Sequence, residues 1–322
     1  MIKIGILGTS DVAFRRFLPA LAKNTNFKYI GIASRNIKKT QPFINEYGGK
    51  AFDGYESIIQ SDEVDAVYIP LPPSLHFEWA MKALENGKHI FLEKPSVTEF
   101  TDSQKLVAKA KEKNLALHEN YMFQYHSQLG YVLSLIESKV IGKLRLIRCA
   151  FGFPMRSEGD FRYIKELGGG SLLDCGGYTV KLANLLLGDT CQVVQANLSF
   201  EDCDVDLYGN ATLKNDEGLV AQISFGMDNS YKCELELWGS LGLLSTPRIF
   251  TCPSDCEPEI TVEVKGKKET YAIPKDDQFF NSINYFHSCI LDAAIRKQNY
   301  SALLKQSELI ENIMIFSSNS RL

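Results

Sequence analysis

Repeated alternation of strand-like and helix-like segments over the first 120 residues is the feature that most restricts the fold of this chain. Short apolar runs, such as Ile2–Leu7, Tyr29–Ala33, Asp65–Leu71 and His89–Leu92, are separated by stretches with apolar residues at helical spacing. Nearly continuous apolar strands that alternate with helices are typical of a parallel sheet covered on both faces. The alternation therefore predicts an α/β fold, with an N-terminal Rossmann domain (a doubly wound parallel sheet) over residues 1–120.

The pattern changes after about residue 120. A series of strand patterns, from Gln192–Phe200 to Glu269–Ile273, is linked by turn residues such as Lys214–Gly218, which is typical of antiparallel hairpins. Two helical patterns, roughly 277–297 and 301–318, close the chain. A chain of 322 residues is long enough for two cores. We therefore expect a second domain over residues 121–322, an α+β domain built on a mostly antiparallel open sheet.

Composition excludes several classes of protein. The chain is 45% hydrophobic and 23% charged, which is ordinary for a globular protein. A net charge of -4, a pI near 5.8 and the lack of a basic stretch argue against a nucleic-acid partner. No apolar run is long enough to cross a bilayer, and the first residues enter a strand without room for a signal peptide. We therefore expect a cytoplasmic protein with no membrane partner.

The cysteines do not indicate a metal site. The sequence has 8 of them, and only Cys252 and Cys256 are closely spaced. No second pair of Cys or His residues stands at zinc-site spacing from these two. We expect reduced thiols and no bound metal.

The first strand runs into a loop with the character of a dinucleotide-binding turn. The loop consists of Gly8, Thr9, Ser10, Asp11, Val12 and Ala13. In the pattern G-x-G-x-x-G/A, Gly8 and Ala13 fit the first and third positions, whereas Ser10 replaces the second glycine. The strand before the loop and the helix after it favour phosphate binding at the helix N-terminus. A simple strand-to-helix turn is the alternative.

The second strand ends in residues that indicate which cofactor binds. Ser34 and Arg35 stand where NAD-selective sites have an acid for the ribose hydroxyl, and Lys38 and Lys39 follow. Arginine and serine suit a 2′-phosphate instead. The sequence therefore predicts NADP(H), with a solvated arginine as the alternative.

A charged tripeptide ends the strand His89–Leu92. Glu93, Lys94 and Pro95 follow it directly, at the edge where ligands bind to open parallel sheets. Proline restricts the residue before it to extended geometry, so the Lys94 backbone should be stiff. A surface lysine that leaves a strand is the alternative interpretation.

Four segments of the sequence carry a resemblance to a known family. They are Gly5–Gly8, Pro70–His76, Glu93–Pro95 and Gly168–Tyr178. Together they resemble the glucose–fructose oxidoreductase / inositol dehydrogenase (Gfo/Idh/MocA) family over essentially the whole chain. Two positions depart from the family pattern: Ser10 replaces a loop glycine, and Pro73 replaces a frequent asparagine.

Within that family the chain looks most like the NADP-dependent nucleotide-sugar 3-ketoreductases. Those enzymes reduce a 3-keto-6-deoxyhexose attached to thymidine diphosphate. The similar segments are Asp11–Arg16, Glu119–Phe123, Gly159–Tyr163 and Ser224–Met227. Dihydrodiol dehydrogenases and NADP-dependent xylose dehydrogenases share the Asp…Tyr motif, so both remain alternatives.

The resemblance implies a catalytic set of Lys94, Asp174 and Tyr178. Asp174 and Tyr178 are four positions apart at the start of a predicted helix, so we expect them on one helical face. Reduction of a ketone needs a hydride, which the cofactor supplies, and a proton, which the protein supplies. The family implies that Lys94 either donates this proton or assists Tyr178 in doing so.

The resemblance also implies further contacts to the cofactor. His76 is expected beside it, Glu93 is expected to fix the lysine, and Leu71 and Tyr55 are expected near adenine or ribose. Arg162 has a guanidinium suited to a phosphate or to the nicotinamide carboxamide.

Two residues are candidates for the nucleotide half of the substrate. Tyr231 could stack on a base, and Arg248 could bind a diphosphate.

The sequence thus predicts NADPH-dependent reduction of a sugar ketone, at C3 of a nucleotide (dTDP)-linked 3-keto-6-deoxyhexose. One alternative is an NADP-dependent dehydrogenase of a free aldose or dihydrodiol, and another is a non-catalytic NADP-sensing regulator. The family implies a homodimer or homotetramer formed through the open face of the second sheet.

Overall fold

A computed structural model of the chain describes residues 1–157 and 159–319, and this part of the chain contains two sheets. The strands of the first sheet are β1 (Ile2–Leu7), β2 (Phe27–Ser34), β3 (Lys50–Asp53), β4 (Ala66–Ile69), β5 (His89–Leu92) and β6 (Leu117–Glu119). They pair in parallel in the order β3-β2-β1-β4-β5-β6. This is the strand order of a Rossmann sheet, whose ligand crevice opens where the order reverses beside β1.

The first sheet is covered by helices on both faces, so its central strands are buried. All four residues of β4 are buried, as a strand with two covered faces requires. The helices that follow these strands are α1 (Leu18–Ala22), α2 (Gln41–Tyr47), α3 (Tyr55–Ile59), α4 (His76–Glu85) and α5 (Phe100–Lys113). The predicted doubly wound domain is confirmed.

Helix α5 begins at Phe100, and Glu99 is its cap residue. The extended backbone of Glu99, with φ -123° and ψ 135°, forms the boundary without a capping bond from its side chain. Thr101 therefore lies inside the first turn. The negative charge of Asp102, in the same turn, interacts favourably with the helix dipole.

The second sheet has eight strands. They are β7 (Leu144–Gly152), β8 (Gln192–Ser199), β9 (Tyr208–Lys214), β10 (Val220–Gly226), β11 (Lys232–Gly239), β12 (Gly242–Thr246), β13 (Glu259–Val264) and β14 (Lys267–Ala272). Their order is β14-β13-β12-β11-β7-β10-β9-β8, in which β7 and β10 pair in parallel and the other neighbours are antiparallel. The predicted mostly antiparallel sheet is confirmed.

One face of the second sheet is covered and the other is open. Helix α7 (Gly177–Leu187) packs on the covered face, where eight of its residues are buried, and α6 (Ser127–Glu137) precedes β7. On the open face Trp238 is 53% exposed. The alternation of buried and exposed residues along β11 is typical of an antiparallel sheet with a single covered face.

Two strands were missed in the sequence. β3 is an edge strand of four residues that pairs with β2, and it is too short to show a periodic pattern. β12 follows β11 after a turn at Ser240 and Leu241 and pairs back onto it, so its pattern could not be separated from that of β11. A short strand is defined by its pairing with neighbouring strands, and this pairing cannot be read from the local sequence pattern.

The described chain forms two compact units. The first comprises Met1–Asn120 and Phe279–Ser307, and the second comprises Tyr121–Gln278 and the described residues from Glu308 onward. The predicted second domain ran without interruption from 121 to 322, so the segment 279–307 departs from that prediction. This segment holds most of α8 (Gln278–Leu291) and the first half of α9 (Ala293–Asn319). It binds to edge strand β6 and the residues before it: the Asn299 amide donates to the carbonyl of Leu117, and the Tyr300 hydroxyl to that of Leu115.

Candidate active site

The loop after β1 can be formed only with glycine at its first position. Gly8 has φ +101°, and a Cβ placed on it would lie 2.6 Å from Cδ2 of Leu71. Its N–H donates to the carbonyl of Ala33 at 2.9 Å, which ties the loop to the end of β2. Leu71 and Gly8 are thus neighbours, while the contact of Leu71 with the cofactor stays a prediction. A positive φ and a close contact are two reasons for glycine here.

The helix after the loop begins in an unusual form. Its first part, Ala13–Phe17, is a π-helix that continues into α1. The Ser10 hydroxyl accepts the Ala13 N–H at 3.2 Å, so the residue that replaces the second glycine caps this helix. Single π turns occur frequently at functional sites. The glycine and the helix N-terminus fit a bound pyrophosphate. Of the remaining predicted loop residues, Thr9 lies between Gly8 and Ser10, whereas Asp11 and Val12 are already the first helical residues.

The end of β2 is suited to a phosphate. Ser34 is buried, and its hydroxyl accepts the N–H of Asn36 at 3.2 Å. The exposed Arg35 guanidinium lies 6.0 Å from the ring centroid of Tyr55, and this ring packs edge-on against Trp79 at 4.9 Å. Tyr55 also lies close to the Gly8 position, because its hydroxyl would be 3.8 Å from an added Cβ there. The residues therefore fit a dinucleotide with a 2′-phosphate.

The His76 ring connects the segments that follow β4 and β5. Its ring is fully buried, with Nε2 2.7 Å from the carbonyl oxygen of Leu71 and Nδ1 2.8 Å from that of Pro95. Burial lowers the pKa of His76 to about 4, and the Lys94 charge acts in the same direction. The imidazole is therefore neutral at pH 7 and donates to one of the two carbonyls. Its contact with the cofactor stays a prediction.

Glu93 is held by hydrogen bonds next to Lys94. Its Oε1 accepts from the Tyr68 hydroxyl at 2.7 Å and from the Asn120 amide at 2.8 Å, and its Oε2 lies 3.4 Å from the Lys94 N–H. Burial raises the pKa of the Glu93 carboxyl, while these donors and the Lys94 charge oppose that shift. The peptide bond between Lys94 and Pro95 is cis. Tyr68 was not predicted, because a tyrosine inside an apolar strand carries no local sign of a polar partner. Asn120 lies in the segment Glu119–Phe123, but its contact with Glu93 was not predicted.

In the second unit, a buried aspartate fixes the start of the helix that carries Asp174. The Asp206 carboxylate accepts the Ser171 hydroxyl at 2.6 Å and the Leu172 N–H at 2.7 Å. Burial raises the pKa of Asp206, and these hydrogen bonds oppose the shift. A Cβ on Gly170 would lie 2.5 Å from the same carboxylate, so the glycine allows its close approach. Asp206 was not predicted.

Asp174 lies in a π-helix and is paired with Arg162. The segment Leu172–Gly176 is a π-helix that continues into α7, whereas the sequence predicted an α-helix throughout. The α-helical spacing used to place Asp174 and Tyr178 on one face therefore does not apply to this turn. Arg162 donates to Asp174 at 2.8 Å and to Asp160 at 3.1 Å. Burial disfavours the guanidinium charge, but the two carboxylates outweigh it and raise the pKa of Arg162.

Tyr178 is surrounded by aromatic rings. Its ring centroid lies 5.1 to 6.0 Å from those of Phe151, Tyr121, Phe123 and Phe250. Its hydroxyl lies 3.6 Å from the sulfur of Met122, and the residue is 6% exposed. We call these four rings the aromatic cage. Tyr121 and Phe123, two of the four rings, come from Glu119–Phe123, one of the segments that resemble the nucleotide-sugar 3-ketoreductases.

The two residues predicted to bind the nucleotide contact each other. Arg248 lies 5.7 Å from the ring centroid of Tyr231 and donates to its hydroxyl at 3.5 Å. Tyr231 is 48% exposed. The Arg248 carbonyl accepts from the buried Gln128 amide at 3.1 Å, so the backbone of this residue is anchored while the Tyr231 ring is accessible.

No group of three or more His, Cys, Asp and Glu side chains among the described residues could hold a metal ion. No helix among them is both long and apolar enough to reach across a membrane. All eight cysteines are thiols.

A glycine turn at the switch point of a Rossmann sheet, followed by a helix N-terminus, defines a dinucleotide-binding protein. Comparison with known families gives the class more closely. A family model described as "Oxidoreductase family, NAD-binding Rossmann fold" matches residues 2–121, and one described as "GFO/IDH/MocA C-terminal domain" matches residues 131–245. The chain belongs to the GFO/IDH/MocA family of oxidoreductases, as its motifs predicted.

Among proteins of known function, a dTDP-3,4-didehydro-2,6-dideoxy-alpha-D-glucose 3-reductase from Actinomadura kijaniata is 38% identical over 97% of this chain and 94% of its own. The solved structure of KijD10, a 3-ketoreductase of that organism in complex with NADP and TDP-benzene, has a TM-score of 0.94 at 37% identity, over 98% of this chain and 97% of its own. Other structures of KijD10 have a lysine or a tyrosine replaced, and these two positions are as far apart as Lys94 and Tyr178. A D-xylose 1-dehydrogenase (NADP(+)) from Haloferax volcanii is 27% identical over 88% of this chain and 87% of its own.

Proposed function

We propose that this protein uses NADPH to reduce a keto group on a nucleotide-linked sugar, at C3 of a dTDP-linked 3-keto-6-deoxyhexose. The observation that carries the proposal is the similarity to a dTDP-sugar 3-reductase over nearly the full length of both chains. This protein has all three residues of the predicted catalytic set, Lys94, Asp174 and Tyr178. A non-catalytic NADP-sensing regulator would not need these three residues.

NADP(H) is the cofactor that the residues favour. Ser34 ends β2 and Arg35 follows it, at the place where an acid would select NAD. The Arg35 guanidinium lies 6.0 Å from the centroid of the Tyr55 ring. When bound, the reduced nicotinamide supplies the hydride. Gly8 leaves space at the loop for the pyrophosphate, and residues 9–13 provide the backbone N–H groups of the helix start.

The protein contributes the proton and the orientation. Tyr178 and Lys94 are the candidate donors; a lysine charge near a phenol favours the phenolate that remains after proton transfer. Asp174 holds Arg162 at 2.8 Å, so the pair forms one rigid polar unit. This unit suits a sugar hydroxyl or a phosphate, since guanidinium and carboxylate offer donors and acceptors together.

Tyr231 and Arg248 are proposed to bind the thymidine diphosphate. The ring is exposed enough to stack on a base, and the guanidinium beside it carries the charge that a diphosphate needs. KijD10 was solved with TDP-benzene, a ligand with this nucleotide group.

Turnover assays test the proposal directly. The protein is incubated with NADPH and a thymidine-diphosphate 3-keto sugar, and separately with NADP⁺ and free aldoses or a dihydrodiol, while NADPH absorbance is followed. We expect reduction of the nucleotide sugar. Turnover with free aldoses alone would support the dehydrogenase alternative, which the xylose dehydrogenase relative represents. NADPH binding without turnover of any substrate would support the regulator.

Variants assign the catalytic roles. Lys94→Ala and Tyr178→Phe are each expected to lower turnover by about 10²–10⁴-fold, the contribution of a well-placed acid. Lys105→Ala and Tyr271→Phe, on the exposed side of α5 and on β14, are matched controls and should keep wild-type turnover. Unchanged activity in both Lys94→Ala and Tyr178→Phe would reject the catalytic assignment.

We also propose that the open face of the second sheet binds a second copy of the chain, giving a homodimer or homotetramer. Trp238 on this face is 53% exposed, and Leu241 in the turn after β11 is 58% exposed; exposed apolar groups of this size are typical of interfaces. Light scattering should show an oligomer that Trp238→Lys dissociates, whereas Leu133→Lys, on α6, should not. A monomeric wild-type protein would exclude this proposal. We further propose the cytoplasmic location that the sequence predicts.

A further inference from the structure

A chain of buried polar side chains connects helix α8 to the residue next to Lys94. His118 Nε2 lies 2.9 Å from the Ser282 hydroxyl oxygen, which lies 2.8 Å from Oδ1 of Asn120. The Asn120 amide nitrogen lies 2.8 Å from Oε1 of Glu93. His118, Asn120 and Ser282 are 0% exposed. All of these residues belong to the first unit, although Ser282 comes from the C-terminal part of the sequence.

The chemistry of these groups gives the chain a direction. An ionised carboxylate only accepts hydrogen bonds, so Asn120 must turn its NH₂ to Glu93 and its oxygen to Ser282. Ser282 then donates its single proton to Asn120 and must accept from His118 Nε2–H. Every hydrogen bond of the chain is therefore donated in the direction of Glu93. A protonated Glu93 can itself donate, which would allow the hydrogen bond between Glu93 and Asn120 to reverse its direction. The Tyr68 hydroxyl donates to the same Glu93 oxygen at 2.7 Å.

We propose that Asn120 and Ser282 are positioning residues for the reaction, and that with His118 they form a one-way chain of hydrogen bonds that keeps Glu93 ionised and oriented beside Lys94. The inference rests on the proposed function, in which Lys94 acts on the substrate ketone. The Glu93 carboxylate lies 3.4 Å from the Lys94 N–H and interacts with the lysine charge, so we expect a fixed Glu93 to keep Lys94 in position. Misplacement of a reacting group by about 1 Å can cost about 100-fold in rate.

The chain opposes a strong tendency of the site. Burial alone raises the pKa of Glu93 and would favour the neutral acid, which can donate as well as accept. The titratable and charged groups that face this carboxyl are the Tyr68 phenol on β4, the adjacent Lys94 and, through the chain, His118 on β6. Ser282 is the contribution of α8.

The test compares Ser282→Ala with Ser282→Thr and with Ser288→Ala. Alanine removes the donor that orients Asn120, so we expect the acid limb of the kcat/KM profile to move up by about one pH unit, from the loss of a charge-assisted bond. Threonine keeps the hydroxyl and should restore the wild-type profile. Ser288 lies on the same helix and donates to the Asn284 carbonyl, so Ser288→Ala should leave the profile unchanged. An unshifted acid limb in Ser282→Ala would overturn the proposal.

Two measurements do not depend on activity. In protein labelled with ¹³C at the glutamate carboxyl, with the Glu93 signal assigned by Glu93→Gln, the titration of Glu93 should move up in Ser282→Ala. In wild-type protein with ¹⁵N-labelled histidine, His118 should carry its proton on Nε2. A proton on Nδ1 would reverse the chain and overturn the proposal even if no variant folds. If these NMR results hold but the nucleotide sugar is not reduced, the proposed function fails and the hydrogen-bond chain stands.

Discussion

The residues around Lys94 and those around Tyr178 are held by different means. Glu93, next to Lys94, is fixed by hydrogen bonds of 2.7 and 2.8 Å from Tyr68 and Asn120. Tyr178 is fixed by the aromatic cage, with centroid distances of 5.1 to 6.0 Å. Hydrogen bonds weaken steeply with angle, whereas ring contacts tolerate several geometries. The hydrogen bonds in the first region therefore determine the protonation state and orientation of Glu93. The aromatic cage in the second region determines the position of the Tyr178 ring through its shape.

The two regions should therefore be sensitive to different substitutions. In a hydrogen-bond chain the loss of one group leaves a buried partner unsatisfied. In the cage, the loss of volume matters most. Four measurements of the free energy of unfolding separate the two, in order of expected effect.

Removing a cage ring should have the largest effect. Phe250 is fully buried, with its centroid 5.1 Å from that of Phe123 and 5.3 Å from that of Phe151. We expect Phe250→Ala to lower the free energy of unfolding by about 3–5 kcal/mol, because a cavity remains. Phe250→Leu, which keeps most of the volume, should cost less than about 1.5 kcal/mol. Equal losses in both would show that ring geometry, rather than volume, holds the cage.

Acid should weaken the first region through His76. Its pKa is lowered from 6.5 to about 4 in the folded protein, so between these values the unfolded chain binds a proton that the folded chain does not. The contribution of His76 to the free energy of unfolding is therefore fully present above pH 6.5. It is lost as the pH falls towards 4, which lowers the free energy of unfolding by about 3 kcal/mol. Burial also lowers the pKa of His89 to about 4, so both histidines add to the slope.

His76→Asn isolates the first contribution. The variant cannot titrate, so its stability should fall less steeply between pH 6.5 and 4 in denaturant titrations. Parallel slopes for wild type and variant would show that the folded protein accepts the proton on His76 without strain.

The cap of the second π-helix should have an intermediate effect. Asp206→Ala removes the acceptor of the Ser171 hydroxyl and the Leu172 N–H, so we expect a loss of about 2 kcal/mol. Asp204→Ala, two residues earlier and exposed, should change stability by less than about 0.5 kcal/mol. If the two variants matched, the buried cap would carry no stability.

The smallest change in stability should come from Tyr178→Phe. The ring contacts of the cage remain, so we expect a loss of at most about 1 kcal/mol by denaturant titration. Turnover should fall nevertheless, as proposed above. A loss as large as that of Phe250→Ala would mean that the hydroxyl, and not the ring, anchors Tyr178.

Much of this architecture could be predicted from local sequence. The alternation of strands and helices identified the first sheet, and turn residues identified the hairpins of the second. Gly8 could be recognised because it stands at the first position of the dinucleotide-binding pattern, and its φ of +101° is a conformation that favours glycine. Glu93, Lys94 and Tyr178 could be recognised because motifs of the family place them.

The partners of those residues could not be predicted. Asn120 and Ser282 lie on different elements, and their contact depends on how α8 packs on the first sheet. Asp206 looks like an ordinary loop acid, and only the fold brings it to Ser171. The split of the first unit between residues 1–120 and 279–307 is likewise a tertiary effect, since a helical pattern does not state which sheet it covers.

The two π-helices have a consequence for comparing this chain with its relatives. A π turn holds one residue more between its hydrogen-bonded partners than an α turn does. Ala13–Phe17 and Leu172–Gly176 are therefore places where one residue can be lost or gained while the helix that follows keeps its register. In an alignment of the family, a one-residue gap near either segment should be read as an exchange between π and α turns. Lys94 lies two residues after the end of β5 and outside both segments, so it provides a fixed point from which such gaps can be placed.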